Sequence, residues 1–231
     1  MTQKQFVEEL SKINIETTEE QLSKLEAFYQ ILVEHNKITN LTRIIEKEEV
    51  YLKHFYDSLT LSLGHELDQE LTICDLGSGA GFPGIVLKIF FPKLKISLVD
   101  SHGKKTEFLK VVIEELDLKG IRVFNERAEE HALNHREDYD LVTARAVANL
   151  PILIELGVPL LKLKGYFLAM KGPIVEKATN PLKMLNAEVV KKIEVTLPIT
   201  EDKRNIIKIK KINPTNKRYP RNFSQIKKKP L

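Results

Sequence analysis

Three acidic residues stand where strand-like apolar runs end, and a glycine-rich loop follows the first of them. Asp75 lies in Ile73–Ile85, "ICDLGSGAGFPGI", in which four glycines occupy the eight positions 77–84. Asp100 closes "KISLVD", and Glu129 lies in "NERAEEH". In an open parallel sheet, ligands bind beyond the carboxyl ends of the strands, so these residues share one crevice if the strand order has its usual switch. Gly79-Ala80-Gly81-Phe82-Pro83-Gly84 is a literal G-x-G-x-x-G, and Asp100 follows Gly81 by 19 residues, where it can hold ribose hydroxyls. On that pattern alone a nicotinamide dinucleotide fits. So does any adenosyl ligand laid over the first strand, and so does a tight strand-to-helix turn that binds nothing.

Two features separate these readings. Asp75 puts a carboxylate at the mouth of the first strand, beside the Gly77 and Gly79 loop, where it suits a cationic ligand and repels a pyrophosphate. Phe82-Pro83 occupies the place where a pyrophosphate needs approachable N–H groups, and proline has none. Both favour S-adenosyl-L-methionine, which carries an ammonium and a sulfonium and no phosphate, over a dinucleotide. An NAD-linked oxidoreductase is the competing enzyme class. A non-catalytic RNA-binding protein with a decayed loop is the third reading, but here the loop and Asp100 are intact.

Other residues have two readings each. His54 and Asp57 in "HFYDSL" share a helix face; they offer two metal ligands without a third, or a packing pair. His102, after Asp100 and Ser101, is a base or a loop histidine beside the ligand. Arg145 in "ARAVANL" ends the fourth strand, where it meets a carboxylate or a nucleic-acid group. The lone Cys74 sits mid-strand, which suits a core residue better than a nucleophile and, with no second cysteine, fits a reducing cytoplasm. No metal centre is expected.

The elements that would position these groups follow from periodicity. Apolar runs at 71–76, 95–100, 121–125, 139–144 and 166–172 read as strands buried on both faces. Helices fit between them at 84–91, 104–118, 128–133 and 150–163. The alternation predicts a doubly wound α/β sheet. Two further strands, near 187–197 and 205–211, allow an antiparallel hairpin. Before the sheet lie three helices: the amphipathic "MTQKQFVEELSKI", one capped by Thr18 with Gln21 three residues on, and one over 46–63 ending at Gly64. The expected organisation is a helical extension over 1–66, a ligand-binding domain over 67–212 and a basic tail over 213–231.

Charge is uneven. The net value is +4, yet positions 203–231 hold 11 Lys and Arg and no Asp or Glu, leaving 25 basic against 32 acidic residues elsewhere. A basic tail on an acidic body fits a polyanion, or simply a solvated terminus. Tyr219 and Phe223 within it suit base stacking. No apolar run has membrane-spanning length and the N-terminus lacks a secretory pattern, so a cytoplasmic monomer is expected.

Taken together, "HNKITNLT", "HFYDSL", "DLGSGAGFPG", "LVDSHGKKTEFL", "RAEEH", "VTARAVANL", "MKG" and "YPRNFSQIKKKPL" resemble the glucose-inhibited division protein B family over nearly the whole chain. The resemblance implies a class I, Rossmann-like methyltransferase sheet with helices on both faces and a small helical N-terminal extension. It implies N7-methylguanosine formation in small-subunit (16S) rRNA, free or in a ribosomal particle. S-adenosylmethionine would touch Gly77, Phe82, Asp100, Ser101, His102, Ala128, Glu129 and Arg145. Guanine N7 has a lone pair and no proton, so no general base is obligatory, and Arg145 is a positioning candidate. Lys104, Lys105, Arg218, Arg221, Lys227, Lys228 and Lys229 would meet RNA phosphate. Ser224 and Ile226 stand where the family pattern has glycine and proline, which leaves the tail's turn geometry open.

Overall fold

The computed structural model describes all 231 residues, Met1 to Leu231. Helices lead the chain: α1 (Gln3–Ser11) and α2 (Glu19–Thr39). Thr18 Oγ1 accepts from the Gln21 N–H, and Gln21 Oε1 accepts from the Thr18 N–H, the predicted capping box. Asn40, left-handed at φ 49°, ends α2. The expected third helix is continuous but not uniform. It begins as α3 (Lys47–Val50), widens to a π-helical Tyr51–Tyr56, returns as α4 (Asp57–Leu59) and tightens to 3₁₀ over Thr60–Leu63. Ser58 Oγ and Thr60 Oγ1 donate to the carbonyls of His54 and Asp57, both at 2.6 Å, and so compete with the regular helical ladder.

The rest alternates strand and helix: β1 (Thr72–Leu76), α5 (Gly84–Phe90), β2 (Lys95–Asp100), α6 (Gly103–Glu115), β3 (Ile121–Asn125), α7 (Ala128–Asn134), β4 (Tyr139–Arg145), α8 (Leu150–Gly157) and β5 (Leu161–Lys171). Then come α9 (Thr179–Met184), β6 (Ala187–Thr196), β7 (Lys203–Lys211) and α10 (Phe223–Lys228). One sheet has the order β3-β2-β1-β4-β5-β7-β6, with β1 to β5 parallel and β7 antiparallel to both neighbours. β1 lies between β2 and β4, so the order reverses there and a crevice opens above it.

An apolar core covers each face. Ile73 packs with α5, α6 and the N-terminal helices, while Cys74 and Leu76 pack with α7 and α8. The basic tail belongs to the second core through buried Tyr219 and Ile226. No helix is long and apolar enough to cross a membrane.

The helix expected over 104–118 ends at Glu115, and three larger differences from expectation have a visible cause. α8 stops at Gly157, not 163, because Pro159 interrupts the N–H ladder and a 3₁₀ turn, Val158–Leu160, follows. β5 begins at Leu161, five residues early. Lys162 lies in it, bonded to Asp140 at 2.7 Å, and Gly165 faces the backbone of Asp140 too closely for a side chain. The tail is not a solvated terminus: it contains α10, capped by Asn222, and places Ile226 in the core.

Candidate active site

The glycine loop is laced to the end of β2. The Gly77 and Ser78 N–H groups donate to the Val99 carbonyl at 2.8 and 3.1 Å, and Ser78 Oγ accepts from the Val99 N–H. Gly77 has φ +69°, and a Cβ there would strike Val147. Gly84 lets α5 sit directly against β1 and β2, since a Cβ would press into Leu98 and Asp75. These two glycines thus serve the turn and the helix–strand contact.

Asp100 anchors the loop. Its Oδ2 accepts from the Gly79 N–H at 3.0 Å, and its Oδ1 accepts from the His102 N–H and Nδ1, both at 2.9 Å. The carboxylate is nearly buried, whereas His102 is 70% exposed. Beyond β3, Glu129 takes Arg127 Nε at 2.7 Å, and the Arg127 guanidinium lies 4.6 Å from the centre of the Phe223 ring.

A cavity of about 280 Å³ opens above these groups. Of the predicted residues, Gly77, Asp100, Ser101, His102, Lys105, Ala128, Glu129 and Arg145 line it. Glu126, Arg127, Val147 and Phe223 line it too, with nothing in the local sequence pattern that marks them for that role. Phe223 reaches it only because the tail folds back, which local sequence does not reveal.

Asp75 does not line the cavity, contrary to the expected carboxylate at its mouth. Side chains alternate along a strand, and Asp75 shares the α5 face with Ile73. It is fully buried; Oδ2 accepts from the Gly84 N–H at 2.9 Å and Oδ1 has no partner. Burial pushes its pKa up to about 7, against the pull of the Gly84 N–H and of Arg145. Gly79, half-buried, and Phe82 do not line the cavity either. Phe82 is buried between aromatic neighbours Phe28 and His54.

Arg145 ties the cavity to the helical extension. Its Nη1 donates to Asp57 Oδ2 at 2.9 Å and to the Lys53 carbonyl at 3.0 Å. Its Nη2 lies 3.1 Å from His54 Nδ1. Arginine only donates, so His54 Nδ1 accepts, and Nε2–H donates to Thr42 Oγ1 at 3.0 Å. Burial, then the Arg145 charge, pushes the His54 pKa down to about 3, so the ring is neutral. That ring stacks on Phe82 at 4.3 Å, and the guanidinium lies 5.2 Å from the same ring centre. His54 and Asp57 are therefore a packing pair, completed by Arg145.

The tail candidates divide. Arg221 is committed to Glu155, with Nε and Nη2 donating to its two oxygens at 2.7 Å each, and Glu155 is fully buried. Tyr219 is buried and offers no ring to a base. Lys104, Arg218, Lys227, Lys228 and Lys229 are exposed. Cys74 is buried and its thiol pKa lies well above the ordinary value because of that burial, which removes it as a nucleophile. Glu126, His131 and His135 cluster, but both His131 nitrogens are engaged, by Glu126 at 2.5 Å and the Tyr139 hydroxyl at 2.8 Å.

Comparison with known proteins adds three findings. Residues 21–207 match the family described as rRNA small subunit methyltransferase G. Ribosomal RNA small subunit methyltransferase G of Lactobacillus acidophilus is 44% identical over the full length of both chains, and that of Halalkalibacterium halodurans is 45% identical over 98% of each. Among solved structures, a SAM-dependent methyltransferase from Aquifex aeolicus superposes with a TM-score of 0.58 at 17% identity, covering 77% of this chain and 98% of that one. A 16S rRNA (adenine(1408)-N(1))-methyltransferase from Catenulisporales acidiphilia, with SAM bound, gives 0.53 at 13% identity, covering 64% and 88%.

Proposed function

We propose, for a chain that belongs to the rRNA small subunit methyltransferase G family, that this cavity binds S-adenosyl-L-methionine and serves methylation of guanine N7 in 16S rRNA. The chain is an S-adenosylmethionine-dependent methyltransferase of small-subunit rRNA. The observation that carries the site assignment is Asp100, held at the carboxyl end of β2 by the Gly79 and His102 N–H groups with its carboxylate at the cavity.

The donor set fits this cofactor. Asp100 suits a ribose diol, Glu129 an exocyclic amine, and the carboxylates of Asp100, Glu126 and Glu129 a cationic ligand. When bound, S-adenosylmethionine supplies an electrophilic methyl group on a sulfonium. The chain's part is placement, which fixes the reacting geometry in advance. Arg145, pinned by Asp57 and His54, sets the wall between cavity and extension.

No proton needs removing from guanine N7, and the histidines near the cavity match that. His54 is neutral and donates its one N–H to Thr42, while His102 is turned to Asp100 and otherwise exposed. Lys104, Lys105, Arg218 and the Lys227–Lys229 run are the proposed phosphate contacts; Lys105 lines the cavity, and Lys227 and Lys228 lie in α10, whose first residue, Phe223, lines it too.

Mapping 7-methylguanosine in 16S rRNA from cells with and without this protein tests the reading, and an unchanged map overturns it. His102→Ala should keep turnover within a few-fold; loss of turnover with intact binding would reinstate a base. Asp100→Ala should weaken S-adenosylmethionine binding about a hundredfold, the loss of charge-assisted bonds to two hydroxyls. Isothermal titration measures this, and NAD binding in place of S-adenosylmethionine would sink the cofactor assignment.

A further inference from the structure

Strand β7 divides its side chains sharply. Asn205, Ile207, Ile209 and Lys211 face one way and are buried. Arg204, Ile206, Lys208 and Lys210 face the other, and only Ile206 of these is buried. Register places Lys191 of β6 opposite Lys208, and Tyr166 of β5 opposite Lys210. Arg204, Lys208 and Lys210, with Lys191 beside them, thus form a basic row on one face. At about 3.3 Å per residue, Arg204 and Lys210 are roughly 20 Å apart along the strand.

The row starts at the candidate active site. Arg204 Nε is 3.7 Å from Asp57 Oδ1, the carboxylate that also holds Arg145. It ends at Tyr166, whose ring centre is 4.3 Å from Lys208 Nζ and 5.9 Å from Lys210 Nζ. His65 lies over the same ring at 5.3 Å. Neighbouring lysines have acidic partners, Lys162 with Asp140 and Lys192 with Glu194. Lys191, Lys208 and Lys210 have none within salt-bridge distance, although exposed Glu188 stands opposite Lys210 in register. Arg204 is paired with Asp57 and Asp202, but the three lysines repel one another, and Lys208 is held below its ordinary pKa by burial and by Lys191 and Lys210. Such an arrangement is relieved by an anion.

We propose that this face of β7 and β6 is a track for the phosphate backbone of the substrate RNA, leading from Arg204 beside the active site to Lys191, Lys208 and Lys210. The inference rests on rRNA being the substrate. A linear polymer with one charge per nucleotide matches a linear row of cations better than a compact ligand does, and phosphate contacts position RNA without reading its sequence. The track lies on the sheet, apart from the basic tail.

The test uses the full chain with Lys191, Lys208 and Lys210 all changed to Gln, and a second variant with all three changed to Arg. Binding of a 16S rRNA fragment is followed by fluorescence anisotropy from 50 to 200 mM salt, with urea unfolding as the folding control. The Gln variant should bind about tenfold more weakly, and the slope of log affinity on log salt should fall by about two, from three lost phosphate contacts. The Arg variant should match the wild type, and S-adenosylmethionine binding should be unchanged in both. An unchanged slope in the Gln variant overturns the track. So does an Arg variant as weak as the Gln variant, or an effect seen with an acidic protein and not with RNA. The readout needs no turnover: absent methyl transfer with a lysine-dependent salt slope defeats the methylation reading alone, and methyl transfer with an unaltered slope defeats the track alone.

Discussion

Arg145→Ala should cost about 3–5 kcal/mol of stability and lower methyl transfer by two orders of magnitude or more. The stability loss follows from what remains behind. Asp57 is 3% exposed, and its Oδ1 already lacks a hydrogen-bond partner. Without the guanidinium, Oδ2 loses its 2.9 Å donor, and the one cation left within salt-bridge distance of the carboxylate is Arg204, 3.7 Å from Oδ1. Removing one member of a buried ion pair leaves an uncompensated charge, which is the source of that magnitude. The Lys53 carbonyl and His54 Nδ1 lose their donor at the same time, and the Phe82 face loses its cation.

Activity should fall for a second reason: these groups form the wall between the cavity and the extension. A small displacement of that wall disturbs reacting geometry far more than it disturbs folding. The double variant Asp57→Asn, Arg145→Met separates the two effects, because it leaves no buried unpaired charge. Urea unfolding should show most of the stability restored, and single-turnover methyl transfer should remain low. Restored transfer in that variant would reduce Arg145 to a structural bridge. A wild-type urea midpoint for Arg145→Ala would refute the energetic argument.

How far these groups were readable from the sequence depends on what positions each one. Asp100 and Glu129 follow from strand endings, since a buried parallel strand reads as an uninterrupted apolar run and its last residue falls at the sheet's carboxyl edge. The capping box at Thr18 and Gln21 was readable because it is local chemistry across three residues. The Arg145 fork was not. Its partners Asp57, His54 and Lys53 are some 90 residues away, and they converge only because the helix widens to a π turn at Tyr51–Tyr56. The start of β5 was hidden for the opposite reason. Lys162-Leu163-Lys164-Gly165 has loop composition, and its strand pairing depends on Asp140 supplying the counter-charge and on Gly165 admitting a backbone. Arg221 looked like a free cation because its partner, Glu155, is a buried acid in the apolar helix α8, visible only once the tail is docked.

Asp75 carries the second large effect, as a dependence of stability on pH. An unfolded aspartate titrates near 3.9. In the fold, burial raises Asp75 to about 7. Between these values the unfolded chain has released this proton and the native chain still holds it. The native state binds more protons there, so the free energy of unfolding falls as pH rises from about 4 to about 7, then levels off. At 1.36 kcal/mol per pKa unit, the drop from this residue is about 2–4 kcal/mol. Other carboxylates work in the opposite sense: Asp140, held low by Lys162 and Thr72 against its burial, gains stability as pH rises. The measurement is therefore a difference, wild type against Asp75→Asn, by urea unfolding from pH 4.5 to 8. Asparagine still offers an oxygen to the Gly84 N–H and does not titrate, so it should gain on the wild type by that amount across the range. A flat difference would mean that Asp75 ionises as freely in the fold as outside it. The comparison also bears on function. A neutral residue would satisfy Gly84 equally well, so the charge of the carboxylate answers to Arg145, which already pulls on it, and to any further cation within reach, because charges act over longer distances in a dry interior than in water. If the cofactor's positive charge is that cation, Asp75→Asn should weaken S-adenosylmethionine binding about tenfold at pH 8 and far less at pH 6, where the wild-type carboxyl is itself largely protonated. Equal affinity of both proteins at pH 8 would leave Asp75 as a support for the loop and nothing more.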